Sequence, residues 1–94
     1  MNIEIADIYV RNGDQVTAKV DDEVVMMSMQ QGEYYGLDSI GSRIWELFAK
    51  PNSVENIIGT LMQEYDVDRK TCEKDVQEFI QKLVDKGLLK IATW

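Results

Sequence analysis

The hydrophobic residues of this chain change period once, near residue 38. Before that point they alternate or run in short blocks; after it they recur every three or four residues. Alternation marks a strand and a three-to-four repeat marks a helix, so the pattern predicts a sheet first and helices afterwards. Ile8 and Val10 alternate ahead of Asn12-Gly13, a pair suited to the left-handed backbone of a hairpin turn. Val16, Ala18 and Val20 alternate next, with Thr17 and Lys19 on the other face. Asp21-Asp22-Glu23 then reads as a polar turn. Val24 to Met29 is an almost unbroken apolar run, short enough for a buried strand. Gln30-Gln31-Gly32 supplies another turn before the aromatic stretch Glu33 to Leu37. Residues 1 to 37 are therefore expected to form a small antiparallel meander, with Ile3 to Ile5 as a further extended piece.

Three helices are expected over residues 38 to 87. The first runs from Ser39 to Ala49, with Asp38 or Ser39 as the residue whose side chain accepts from the free N–H groups of the first turn. Ile40, Ile44, Leu47 and Phe48 share one face, and Pro51 disfavours helix at Lys50. The second starts after Ser53 and turns Val54, Ile57, Ile58, Leu61, Met62 and Tyr65 to one side, with Glu55 complementing the helix dipole. The third begins near Asp68, carries Cys72, Val76, Phe79, Ile80, Leu83 and Val84 on one face, and ends at Gly87. Leu88 to Ala92 reads as a last short strand. The expected fold class is α+β and winged-helix-like: an N-terminal three-stranded antiparallel meander followed by three helices, as one domain over residues 1–94. A strand that turns directly into a helix, as Glu33 to Phe48 does, leaves a groove at the junction.

Composition narrows the function. The apolar share of 45% and charged share of 29% describe a soluble globular chain. The start, Met1-Asn2-Ile3-Glu4, lacks the basic and apolar stretches of a signal peptide. One cysteine cannot form an internal disulfide, and a cytoplasmic location is expected. The net charge of -7 argues against a nucleic-acid backbone as partner. Residues 1 to 49 carry nine acids against three bases, while residues 50 to 94 carry eight against seven. The sheet half is thus the half suited to a basic partner.

The absence of histidine removes the usual general base and excludes Ser-His-Asp and Cys-His hydrolases. With one Cys there is also no zinc set, and Asp21-Asp22-Glu23 lacks the alternating ligand spacing of a calcium loop. No catalytic residue, metal or cofactor is expected. Cys72 lies on an apolar helix face and reads as a buried thiol. Met26, Met27 and Met29 fall in one strand, which suits either core packing or a surface that adapts to varied partners.

Gly36-Leu37-Asp38-Ser39-Ile40 resembles the attachment motif of acyl and peptidyl carrier proteins, in which a serine at a helix start bears phosphopantetheine. On that alternative Ser39 is the modified residue. A carrier needs a helix before the motif, whereas the chain ahead of it reads as strands. A winged-helix DNA binder is a third reading, which the acidic balance disfavours.

A broader resemblance covers most of the chain from about residue 15. Gly32-Glu33-Tyr34-Tyr35-Gly36-Leu37-Asp38-Ser39-Ile40-Gly41, Ile44-Trp45-Glu46-Leu47, Val54-Glu55 with Leu61, Tyr65-Asp66-Val67-Asp68, and Asp75-Val76 with Phe79-Ile80, Leu83 and Gly87-Leu88-Leu89 occur in the order and spacing of the PQQ-synthesis protein D family, the RiPP recognition elements. The tyrosine-rich strand is more similar to stand-alone members from lasso-peptide clusters. The resemblance implies a non-catalytic peptide chaperone. It binds the leader of a ribosomally made precursor peptide as an added strand and presents it to a leader peptidase and an ATP-dependent cyclase. The peptide contacts it implies are Glu33, Tyr34, Tyr35, Gly36 and Leu37 on the strand, and Asp75, Val76, Phe79, Lys82 and Leu83 on the third helix. Neither nucleic acid nor membrane is an expected partner.

Overall fold

The computed structural model describes residues 3–12, 15–21, 23–28 and 32–92, and the backbone alone at residues 15, 16 and 28. Met1, Asn2, Gly13, Asp22, Met29, Gln30 and Gln31, which enter the expectations above, lie outside the described residues, as does the side chain of Val16. The elements in chain order are β1 (Ile8–Arg11), β2 (Gln15–Val20), β3 (Glu23–Ser28), β4 (Glu33–Gly36), α1 (Ser39–Leu47), β5 (Asn52–Ser53), α2 (Val54–Glu64), α3 (Arg69–Asp85) and β6 (Leu89–Ile91). They form a mixed α+β fold with two three-stranded antiparallel sheets, ordered β2-β3-β4 and β5-β1-β6.

The expected meander is β2-β3-β4, and β1 is not part of it. In place of a hairpin across Asn12-Gly13, β1 pairs with β5 through Ile8↔Ser53 and with β6 through Tyr9↔Ile91 and Arg11↔Leu89. The N–H of Arg11 also donates to the Phe48 carbonyl at 3.2 Å, and that of Asn12 to the Leu88 carbonyl at 2.9 Å. Both edges of β1 are therefore satisfied by chain that follows α1 and α3, which leaves β2 no side to pair on.

The helix starts follow the cap residues. Asp38 accepts from the Gly41 N–H at 2.7 Å, Ser53 from Asn56 at 3.0 Å and Asp68 from Thr71 at 3.1 Å. At the end of α3, Gly87 takes a left-handed φ of 74°. Its N–H then donates to Val84 and that of Leu88 to Leu83, the paired bonds that close a helix on glycine. The first helix stops at Leu47, two residues short of the expected Ala49, and Pro51 follows four residues later.

The core is built by α1, α2, α3 and the inner face of β3. Ile44, Trp45, Phe48, Val54, Ile57, Ile58, Leu61, Cys72, Val76, Ile80 and Leu83 are buried, with Val24 and Met26 from the sheet. Two expectations change here. Ile40 does not join the core face of α1 but is 42% exposed, and Trp45 takes the buried place. Also, β3 is buried on one face only, and Thr17, Ala18, Lys19 and Val20 of β2 are all exposed. Thr17 pairs with inward Met26, yet the helices do not reach under it; Lys19 extends instead to Glu46 at 3.7 Å. Ala18 and Val20 of β2 consequently face outward. Ala18 lies opposite Val25, and Val20 opposite Glu23. Tyr34 lies opposite Met27 on that same outer face.

Candidate peptide-binding groove

The open flank of β4 comes directly from the ladder. The N–H of Leu37 donates to the Val24 carbonyl at 2.9 Å, so position 37 points its backbone groups at β3. In an antiparallel pair these directions alternate. Positions 35 and 33 therefore face β3, while the N–H and C=O of Tyr34 and Gly36 face away from it. No other strand among the described residues lies on that side. Tyr34 is 72% exposed on the outer face. Tyr35 turns inward opposite Met26, its hydroxyl donating to Glu33 at 3.3 Å and its ring lying 4.6 Å under the Lys86 ammonium.

Beyond the end of β4 the strand edge opens into a groove of about 400 Å³ between the start of α1, the end of α2 and the first half of α3. Leu37, Ile40, Ile44, Leu61, Val67, Val76 and Phe79 make it predominantly apolar, and Asp38 and Asp75 are its acidic members. Gly41 sets its width. A Cβ there would come within 3.2 Å of the Phe79 ring and 3.1 Å of Asp38 Oδ1, so the missing side chain lets α3 approach the first turn of α1. Cys72 is on the groove floor, yet its Sγ reaches the Ile58 carbonyl at 4.0 Å. Burial first, and the Asp75 charge second, push its thiol above the ordinary range, away from the reactive thiolate.

Ser42 holds the strand end in place. Its hydroxyl accepts from the Val24 N–H at 2.8 Å and donates to the Leu37 carbonyl at 3.3 Å, so one buried side chain bridges β3, the end of β4 and α1.

Of the expected contacts, the structure brings Gly36, Leu37, Asp75, Val76 and Phe79 together around the groove, and Glu33, Tyr34 and Tyr35 lead up to it along β4. Lys82 is not with them. It lies at a separate shallow depression with Ile3, Ile5 and Gln77. Leu83 is buried in the core and does not line the groove. Ile40, Gly41, Leu61, Tyr65, Val67, Thr71 and Cys72 line it without having been expected as contacts. The available signal was Ile40, an apolar residue in a first helical turn. Ser39 opens α1, but β4 and not a helix precedes it, so the architecture of a carrier protein is missing. Among the described residues no group of three or more metal-ligating side chains assembles, and no helix is long and apolar enough to cross a membrane.

Residues 23–89 match the family described as coenzyme PQQ synthesis protein D, PqqD. The chain belongs to the PqqD family. Among solved structures it is similar to TbiB1, determined in complex with the TbiA(beta) leader peptide, at 40% identity and a TM-score of 0.81, over 90% of this chain and 99% of that one. A lasso peptide synthetase B1 complexed with its leader peptide shares the fold at 22% identity and a TM-score of 0.77, over 87% of this chain and 96% of that one. So does the PqqD truncation of Methylobacterium extorquens PqqCD, a stand-alone RiPP recognition element, at 20% identity and a TM-score of 0.76, over 94% of each chain. Among curated proteins none matches. The mixed α+β arrangement read from the sequence is thus the PqqD-type fold.

Proposed function

We propose that this PqqD-family chain is a non-catalytic cytoplasmic chaperone for a ribosomally made precursor peptide. It binds the leader as a fourth strand along β4 and presents the attached core peptide to a leader peptidase and an ATP-dependent cyclase, as in lasso-peptide synthesis. The observation that carries this reading is the β4 flank formed by Tyr34 and Gly36, which pairs with no other strand among the described residues and runs into an apolar groove. Main-chain bonds to Tyr34 and Gly36 supply affinity for any extended segment, and the groove selects among side chains. The relative that is 40% identical was solved with a leader peptide, which supports the same occupant. Tethering by the leader raises the local concentration of the core peptide, on the order of millimolar for a short linker. The outward face of β2-β3-β4, with Ala18, Val20, Val25, Met27 and Tyr34, is the surface we assign to the peptidase.

The test is a titration with the leader of the precursor encoded beside this gene, followed by amide hydrogen exchange. Binding is expected to slow exchange at Tyr34 and Gly36 and to leave Tyr35 unchanged. Phe79→Ala should weaken the leader by about 2 kcal/mol, the cost of losing an aromatic anchor. Lys82→Ala, away from the groove, should change it less than about twofold. A leader that binds without protecting the β4 edge would refute strand addition.

A further inference from the structure

Of the charged residues of α3, the groove takes one, Asp75. The face toward the groove carries Thr71, Cys72, Asp75, Val76 and Phe79. The basic residues of the same helix do not line it, and Lys82 continues the Asp75–Phe79 face beyond its end. Arg69, Lys70 and Lys74 border a separate depression with Glu73 and Glu78, Lys82 borders another beside Ile3, and the neighbouring Lys86 stacks on Tyr35. The charged residues lining the groove are therefore two carboxylates and no base. Three acids of the helical half have cations: Glu64 pairs with Arg43 at 2.7 Å, and Glu55 and Glu73 share Arg69, whereas Asp66, Glu78 and Asp85, like Asp75, have no ion pair among the described residues. Asp38 uses Oδ1 to cap α1. Among the described residues no cation pairs with Asp75.

We propose that the peptide segment seated in this groove carries a lysine or arginine whose head lies against Asp75, next to the apolar side chain that fills the pocket. The inference rests on the leader-binding reading and specifies the leader's chemistry. Apolar walls focus the field of a carboxylate at a cleft mouth. A neutral segment laid there strips water from Asp75 and returns nothing, and an acidic one is repelled. A cation on a long stem satisfies both demands of the site, because its methylenes cover the apolar wall while its head meets the carboxylate.

The test uses the full chain and the leader of the neighbouring precursor, with each leader Lys or Arg changed to Gln in turn. Asp75→Asn should weaken the wild-type leader about fivefold, the upper range for an exposed pair, and flatten the dependence on salt. One Lys or Arg replacement should cost the same with the unmodified chain and nothing with Asp75→Asn. Asp21→Asn makes the same change in net charge away from the groove, at a left-handed position that Asn tolerates, and should leave affinity unaltered. Equal affinity and equal salt slope for Asp75→Asn would overturn the inference while leader binding stands. Loss coupled to no basic residue of the leader would also overturn it. If the unmodified chain ignores the leader altogether, the functional reading falls and this inference falls with it.

Discussion

Ser42 carries more of the site than its size suggests. Ser42 is 3% exposed, and its hydroxyl bridges the Val24 N–H and the Leu37 carbonyl at the end of the β3–β4 ladder. Ser42→Ala leaves both main-chain groups buried without a partner, a loss of about 2 kcal/mol. Chemical denaturation should show a lower midpoint at unchanged slope, and leader affinity should fall as well, because Leu37 ends the strand proposed to receive the leader. The role of Ser42 was not legible in the sequence, since its partners lie 18 and 5 residues away and nothing local names them. The caps at Asp38, Ser53 and Asp68 were legible for the opposite reason: each accepts from an N–H three residues ahead. Lys82 and Leu83 show a limit of the same kind. Helical spacing places residues on a face but does not say where along that face the groove ends.

At the scale of elements, local signals and distant pairing disagreed over β1. Asn12-Gly13 is a good turn pair, but a strand goes where its two edges and its buried side chain are all satisfied, and β1 finds that between β5 and β6. Tyr9 is 1% exposed there, and its hydroxyl donates to Asp7 at 3.1 Å. Burial first, then the hydrogen bond and charge of Asp7, push its pKa up to about 12. Because the unfolded phenol ionises near pH 10, the folded state holds that proton longer. The stabilisation is complete below about pH 10 and is lost as pH rises from about 10 to about 12. Tyr9→Phe should lack this part of the alkaline decline, on the order of 2 kcal/mol. The denaturation midpoint of the unmodified chain should therefore fall relative to that of Tyr9→Phe across that window. The β2 strand shows the converse. Its alternation was legible, but which face would be covered depended on how far α1 extends, which no period in the strand records.

For the whole molecule, the position of the exposed apolar surface separates two tasks. The proposed leader site takes up the β4 edge and the groove against α3. The outer face of the meander points away from the helices and presents Ala18, Val20, Val25, Met27 and Tyr34, with acids Asp21 and Glu23 at its margin. A lone domain gains nothing by leaving such a face in water. Identical acidic margins also repel a second copy, so a different protein with an apolar patch and a basic rim fits better. Val20 is 57% exposed on the strand farthest from β4, which makes it the position that distinguishes the two surfaces. Val20→Glu should bind the leader within about twofold of the unmodified chain, because it touches neither the open edge nor the groove. It should also slow leader cleavage by the cognate peptidase about tenfold, the effect of about 1.4 kcal/mol when a charge is buried in an apolar contact. Cleavage measured at saturating leader-bound chaperone isolates that loss from any change in peptide affinity. Unchanged cleavage under those conditions would move the enzyme off this face. A parallel loss of leader binding would mean that the meander transmits changes from β2 to β4 and that the two surfaces are not separable.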